Sequence, residues 1–225
     1  ADSACNINGG VICLKSTGKG GKGINCDDVL TINDGTLRVI TTGARHTYGS
    51  SKTSPKGIKS DKQLAINGGS VRVRTTGGEG SEGIESKTQV AIAGGTVEVY
   101  AYDDAINAKS NIHISGGSVF CYASNNDGID SNGTLTISGG LIAACGTTQP
   151  EDAFDTDNGT FTITGGTAIG IGGGSSTPSS STSTQPVVLV GGSSMTAGTY
   201  VAVAGNSGSN ILAFKVPRAY SQYTL

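Results

Sequence analysis

Two aspartates three residues apart, Asp127 and Asp130, are followed one repeat later by a second such pair, Asp152 and Asp155. The carboxylates gather without any His or Cys, so the chemistry on offer is hard oxygen ligation of the kind Ca²⁺ accepts. Both pairs belong to a recurring motif: KGINCDD (22–28), KGIKSDK (56–62), EGIESKT (82–88), DAINAKS (104–110), DGIDSNG (127–133) and DAFDTDN (152–158). Its first position runs Lys22, Lys56, Glu82, Asp104, Asp127, Asp152, and its fourth runs Asn25, Lys59, Glu85, Asn107, Asp130, Asp155. At a strand spacing of about 4.8 Å, Asp127 would lie beside Asp152 and Asp130 beside Asp155. Like charges that close repel unless something neutralises them. The expectation is a Ca²⁺ site built from Asp104, Asp127, Asp130, Asp152, Asp155 and Asp157, with Asn107 at its edge. The competing expectation is a solvated acidic edge.

A second candidate set lies after each Gly pair. One outward column reads Cys13, Arg38, Arg72, Glu98, Phe120, Ala143, and the next reads Lys15, Ile40, Arg74, Tyr100, Tyr122, Cys145, with Tyr102 close by. Aromatic rings and guanidiniums on a flat, rigid sheet can stack sugar rings and pair with uronate carboxylates. Arg72, Arg74, Tyr100, Tyr102, Phe120 and Tyr122 are therefore candidate carbohydrate-binding residues, unless C-terminal strands cover them. No catalytic set is evident: His46 and His113 have no nucleophile partner in the sequence.

The elements that position these residues follow from a repeat. A Gly-Gly corner (Asp-Gly at 34–35) begins at 9, 34, 68, 94, 116, 139 and 165, in steps of 25, 34, 26, 22, 23 and 26 residues. Ahead of it run the columns Cys5, Leu30, Leu64, Val90, Ile112, Leu135, Phe161 and Ile7, Ile32, Ile66, Ile92, Ile114, Ile137, Ile163. After it run Ile12, Leu37, Val71, Val97, Val119, Ile142 and Leu14, Val39, Val73, Val99, Cys121, Ala144. Apolar and polar residues alternate, so the elements are strands. A period of 22 or more residues with like residues at like positions predicts a parallel β-helix of about seven coils over 1–174. Right-handed crossovers are the favoured hand. A leucine-rich repeat would need an Asn ladder and helical spacers, and neither is read here. The long step marks an inserted loop at 43–57. Residues 175–186, SSTPSSSTSTQP, read as a Ser/Thr/Pro linker, and 187–225 as a short β segment that packs back on the helix because it is too small for its own core.

Composition narrows the classes. The net charge is −2, with no Trp and 37 Gly among 225 residues. Charge is segregated: residues 1–74 carry 11 Lys and Arg against 5 acidic residues, whereas 75–157 carry 2 Lys against 12 acidic residues. No apolar run reaches 18 residues, so no transmembrane segment is expected, and the overall charge favours no nucleic acid. No signal peptide opens the chain, and the expectation is that one was removed or lies outside these residues. Five Cys without a Cys-x-x-Cys indicate neither a zinc site nor a disulfide framework. Cys5, Cys26 and Cys121 fall in inward columns, while Cys13 and Cys145 point outward.

The repeats, above all DDAINAKSNIHISGG (103–117) and NDGIDSNGTLTISGG (126–140), resemble a bacterial family of carbohydrate-binding β-helix proteins. That family is similar in architecture to polysaccharide lyases that cleave pectate. The resemblance spans about residues 1–172, and the tail from Thr199 looks like the family's C-terminal segment. It implies a secreted or cell-surface protein with bound Ca²⁺ and affinity for cellulose or acidic sugars. Family 9 pectate lyases hold calcium with an Asp on one coil and Asp-Asp-x-x-Asp on the next. This chain resembles that arrangement with Asp127 and Asp130, then Glu151, Asp152 and Asp155. A lyase also needs a Lys or Arg base within reach of its proton. The coil at 161–174 has neither, and the nearest earlier cation is Lys109. The expectation is a non-catalytic module for plant or microbial polysaccharide, uronate-containing or cellulosic. A calcium-dependent polysaccharide lyase is the alternative, and a structural adhesin or spacer the third.

Overall fold

The computed structural model describes all residues, 1–225, as 22 strands with no helix. Stacked coils form a parallel β-solenoid of about seven turns. Its ten-stranded sheet carries the strands on both sides of each Gly corner, and a six-stranded sheet carries the recurring acidic and basic motif. Register follows the repeat. Leu64 lies beside Val90, Val90 beside Ile112, and Ile112 beside Leu135. On the short-strand sheet Lys59 pairs Glu85, Glu85 pairs Asn107, Asn107 pairs Asp130, and Asp130 pairs Asp155.

The inward columns are the core. Leu30, Leu64, Ile66, Ile92, Ile114 and Ile137 are fully buried in one continuous cluster that runs from Cys26 to Phe161. A thin interior of stacked aliphatics leaves corner carbonyls near the core, and a column of small hydroxyls satisfies them. Ser60 Oγ donates to the Asp28 carbonyl and Ser86 Oγ to the Lys62 carbonyl, each at 2.6 Å.

The two glycines of each corner serve different needs. A Cβ on Gly94 would sit 2.5 Å from the Asn67 carbonyl oxygen of the coil below, while Gly95 adopts a φ of 82°. The first position is therefore set by close backbone approach and the second by left-handed backbone. Outside the corner, Asn67 Nδ2 donates to Asn33 Oδ1 at 2.8 Å and Asn33 Nδ2 to Asn8 Oδ1 at 2.7 Å. A short asparagine stack is thus present after all; the lack of any helix still excludes a leucine-rich repeat.

The inserted segment is not wholly irregular. His46–Tyr48 and Ser51–Thr53 pair as a small antiparallel hairpin. Residues 175–186 follow the last coil. The Ser176 amide donates to the Phe154 carbonyl, Ser179 to Phe161 and Thr184 to Ile163, at 2.7 to 3.0 Å. The reason is that the last coil ends with open backbone acceptors.

Beyond it, Tyr200–Ala204 and Asn210–Lys215 form an antiparallel hairpin. Val201, Phe214, Val216 and Tyr220 are buried against Ala143, Cys145, Ile169 and Ile171 on the outer face of the ten-stranded sheet. Tyr220 Oη donates to the Gly146 carbonyl at 2.6 Å, and Arg218 Nη1 to the Ser124 carbonyl at 2.9 Å. Cys145 thus points out of the solenoid yet lies buried beneath this segment.

Ile137→Asp is expected to abolish folding, because an unpaired buried charge costs about 3–5 kcal/mol of a total near 5–15 kcal/mol. A soluble Ile137→Asp protein that melts cooperatively would show the inward column to be wrong. Tyr220→Phe leaves the Gly146 carbonyl without its donor. It is expected to lower stability by about 1–3 kcal/mol in urea unfolding.

Candidate functional site

The acidic motif folds into a ladder along the short-strand sheet. Asp104 and Asp127 are 4% and 6% exposed, so they are carboxylates inside the protein rather than on a wet rim. Each turns toward the next coil. Asp104 Oδ1 accepts the Asp127 amide at 3.2 Å, and Asp127 Oδ1 accepts the Asp152 amide in a short contact. Asn107 bridges two rungs, donating to Asp104 Oδ2 at 3.1 Å and to Asp130. Asp155 Oδ1 accepts the amide of Asp157, whose φ of 49° closes a tight turn.

These carboxylates lack counter-charge. All seven ion pairs lie elsewhere, on Arg45, Lys56, Lys59, Lys62, Arg72 and Lys87. Burial, reinforced by neighbouring carboxylates, pushes the Asp127 carboxyl up to about 8 and Asp152 up to about 6. Burial also raises Asp104 and Asp130, with Asp130 and Asp127 respectively as the next cause.

The donors of this set are all oxygen, of the kind a hard divalent cation accepts. Asp127 and Asp155 each engage one oxygen with an amide, which leaves the second for a cation. No group of three of these side chains converges on one point, so the fit lies in donor chemistry and register.

The outer face of the ten-stranded sheet carries the second set. Arg38 pairs Arg72, Arg72 pairs Glu98, and Glu98 pairs Phe120 in one column; Arg74 pairs Tyr100 and Tyr100 pairs Tyr122 in the next. Arg72 lies over the Tyr100 ring at 5.8 Å and makes a 3.3 Å ion pair with Glu98. Arg38, Ile40, Arg72, Arg74 and Tyr100 line a hollow of about 320 Å³. A neighbouring hollow of about 410 Å³ adds Tyr102 and Tyr122.

The C-terminal segment divides this face. Phe120 meets the Phe214 ring at 6.2 Å, and Phe120 and Tyr122 pack partly buried on the Val201–Tyr220 cluster. Arg38, Arg72, Arg74 and Tyr102 remain exposed, with Tyr100 half-buried at the boundary. Arg38 was outside the set expected from sequence, although the column that contains Arg72 runs straight through it.

A family model described as "Carbohydrate-binding domain-containing protein" matches residues 2–80 and 76–126, more than half of the chain. The chain belongs to that family. No curated protein and no solved structure matches it significantly. The carbohydrate-binding match takes in Arg38, Arg72, Arg74, Tyr100 and Tyr102, and it ends one residue before Asp127. The exposed half of the arginine–tyrosine face thus lies wholly inside the matched stretch, and most of the acidic ladder lies beyond it.

The raised carboxyls set a sign for pH dependence. A carboxyl that holds its proton more tightly when folded opposes folding once ionised. Stability falls as pH rises from near the unfolded value of 3.8 toward about 8, the folded value of Asp127. With a chelator present, the melting temperature is expected to drop between about pH 5 and about pH 8, and Asp127→Asn should flatten that drop. A melting temperature level or rising across this range would contradict the ladder's electrostatics.

Proposed function

We propose that this carbohydrate-binding protein holds polysaccharide along the exposed arginine–tyrosine face, as a secreted or cell-surface module without catalytic activity. One observation carries the reading. Arg38 and Arg74 have no carboxylate partner and share one hollow with Tyr100 on a rigid parallel sheet, within the stretch that matches the family. A planar guanidinium free of a protein partner suits the bidentate geometry of a carboxylate, which favours an acidic, uronate-containing glycan of plant or microbial origin. Tyr100 and Tyr102 supply stacking area that would serve a neutral cellulosic chain as well.

Calcium in the ladder is the second part of the proposal. Asp127, Asp130, Asp152 and Asp155 would hold it, with Asp104 and Asp157 at the margins. Its contribution is to neutralise buried like charges and tie adjacent coils. It would lie on a different sheet from the arginines, so its role would be structural.

A lyase of the pectate type is favoured by one feature. Lys56 shares the first-position column with Asp104, and burial pushes its ammonium down to about 8, near the range of a general base. Glu82 and Glu85 hold that amine in ion pairs, which favours a structural role. Release of unsaturated uronate ends from polygalacturonate with Ca²⁺, lost in Lys56→Gln, would replace binding by lysis.

For binding, Arg74→Gln and Tyr100→Ala are each expected to weaken affinity for polygalacturonate by about tenfold in calorimetry. Added salt should weaken the acidic glycan much more than cellulose. Retention of both polymers by both variants would remove the face as the site. For the metal, a hundredfold excess of calcium over its dissociation constant should stabilise the fold by about 2.7 kcal/mol. The Asp127→Asn/Asp152→Asn double variant should lose that response. Identical melting of the wild type in calcium and in chelator would leave the ladder as an acidic edge.

A further inference from the structure

The acidic ladder is one end of a longer column, and its other end is basic. Lys22 pairs Lys56 and Asn25 pairs Lys59 on the first two coils of the short-strand sheet, where no carboxylate occupies either column. On a plain solenoid this would be a flat strip of lysines. The inserted hairpin changes that. Lys52 and Thr53 of its second strand stand over the strip, and Lys22 Nζ donates to Thr53 Oγ1 at 3.0 Å. Strip and hairpin together border an open hollow of about 310 Å³, with five lysines and one glutamate among its eight lining residues and no apolar one. That volume lies at the small end of the usual range for small-molecule sites, about 300–1,000 Å³.

The charges in the hollow do not cancel. Lys56 pairs with Glu82 and Glu85, Lys59 with Asp61, and Lys87 with Glu85. Lys22 and Lys52 pair with no carboxylate, and both line the space. Burial lowers the Lys22 ammonium, with Lys59 as the next cause, so the site already bears the strain of uncompensated positive charge. One acceptor is also left open. Glu85 is 2% exposed, and its Oε1 takes both Lys56 and Lys87, whereas its Oε2 is buried without a donor. The occupant must therefore bring negative charge for Lys22 and Lys52.

We propose that this hollow binds a phosphate or sulfate ester of a sugar. Ammonium groups around a pocket act as point charges and suit a compact tetrahedral oxyanion; planar carboxylates suit guanidinium forks, which lie on the other sheet. The charge of about −1.5 to −2 on a phosphate monoester matches the two unpaired lysines. The sugar part rests on the carbohydrate-binding family match, which covers all eight lining residues. The site is separate from the arginine–tyrosine face and does not depend on it.

Calorimetry of the full chain at low salt tests this with glucose 6-phosphate, glucose 6-sulfate, glucuronate and inorganic phosphate. At least one ester is expected to bind, and the tighter one identifies the ester. Glucuronate and inorganic phosphate should bind about tenfold more weakly than that ester, because one lacks the tetrahedral group and the other the sugar ring. Lys22→Gln/Lys52→Gln should abolish binding while Arg74→Gln leaves it unchanged. Lys52→Gln alone, a change on an exposed strand that leaves the core intact, should weaken it severalfold. The proposal is overturned if neither ester binds, if glucuronate or inorganic phosphate binds as tightly, or if the wild type and the double variant bind alike.

Discussion

Every feature of this protein depends on coils stacked in register by their backbone hydrogen bonds. Strand spacing of about 4.8 Å makes each residue the neighbour of its equivalent one repeat away. Inside, that turns isolated aliphatics into continuous columns such as Ile66, Ile92, Ile114 and Ile137, all fully buried. At the corners it forces glycine wherever one coil's carbonyl lies against the next coil's α-carbon. Outside, the same rule brings like charges together, and the chain must answer for it. On the early coils it answers with lysine–glutamate pairs. On the later coils Asp104, Asp127 and Asp130 have only backbone amides, Asn107 and Asn132, and their carboxyls hold protons far above the ordinary range.

Much of this was legible in the sequence because register follows directly from a repeat. Once the Gly corners are aligned, the inward columns, the pairing of Asp130 with Asp155 and the row from Arg74 to Tyr122 need no further information. The parts that were not legible come from outside the repeat. The docking of the C-terminal segment rests on Phe214, Arg218 and Tyr220, whose partners lie 49 to 94 residues away in sequence. Nothing in the column pattern shows that Phe120 and Tyr122 fall under that segment while Arg38 stays open. Residues 175–186 have the composition of a linker, yet three backbone bonds and six bonds through Ser and Thr hydroxyls hold them to the last coil, and composition does not distinguish docked hydroxyls from solvated ones. The lysine hollow required the inserted hairpin to fold back over Lys22, and its length alone did not indicate that.

The two sheets divide their chemistry. The ten-stranded sheet offers guanidiniums and rings on an open, flat face, suited to a long ligand that lies along it. The short-strand sheet offers stacked charge, positive where the hairpin borders it and negative where the aspartates stack. The family assignment bears on carbohydrate binding. It covers both the open face and the lysine hollow, and it stops short of most of the ladder.

The segregation of charge along the chain also becomes a segregation in space, because a solenoid lays sequence order out along its axis. The first coils are net positive and the later ones net negative, so the molecule is an electric dipole directed along its length. In the field of an anionic polymer it experiences a torque as well as an attraction, and that torque acts beyond contact distance until salt screens it, at about 8–10 Å under physiological ionic strength. An approaching molecule is turned with its basic first coils toward the polymer and its aspartate-bearing coils away.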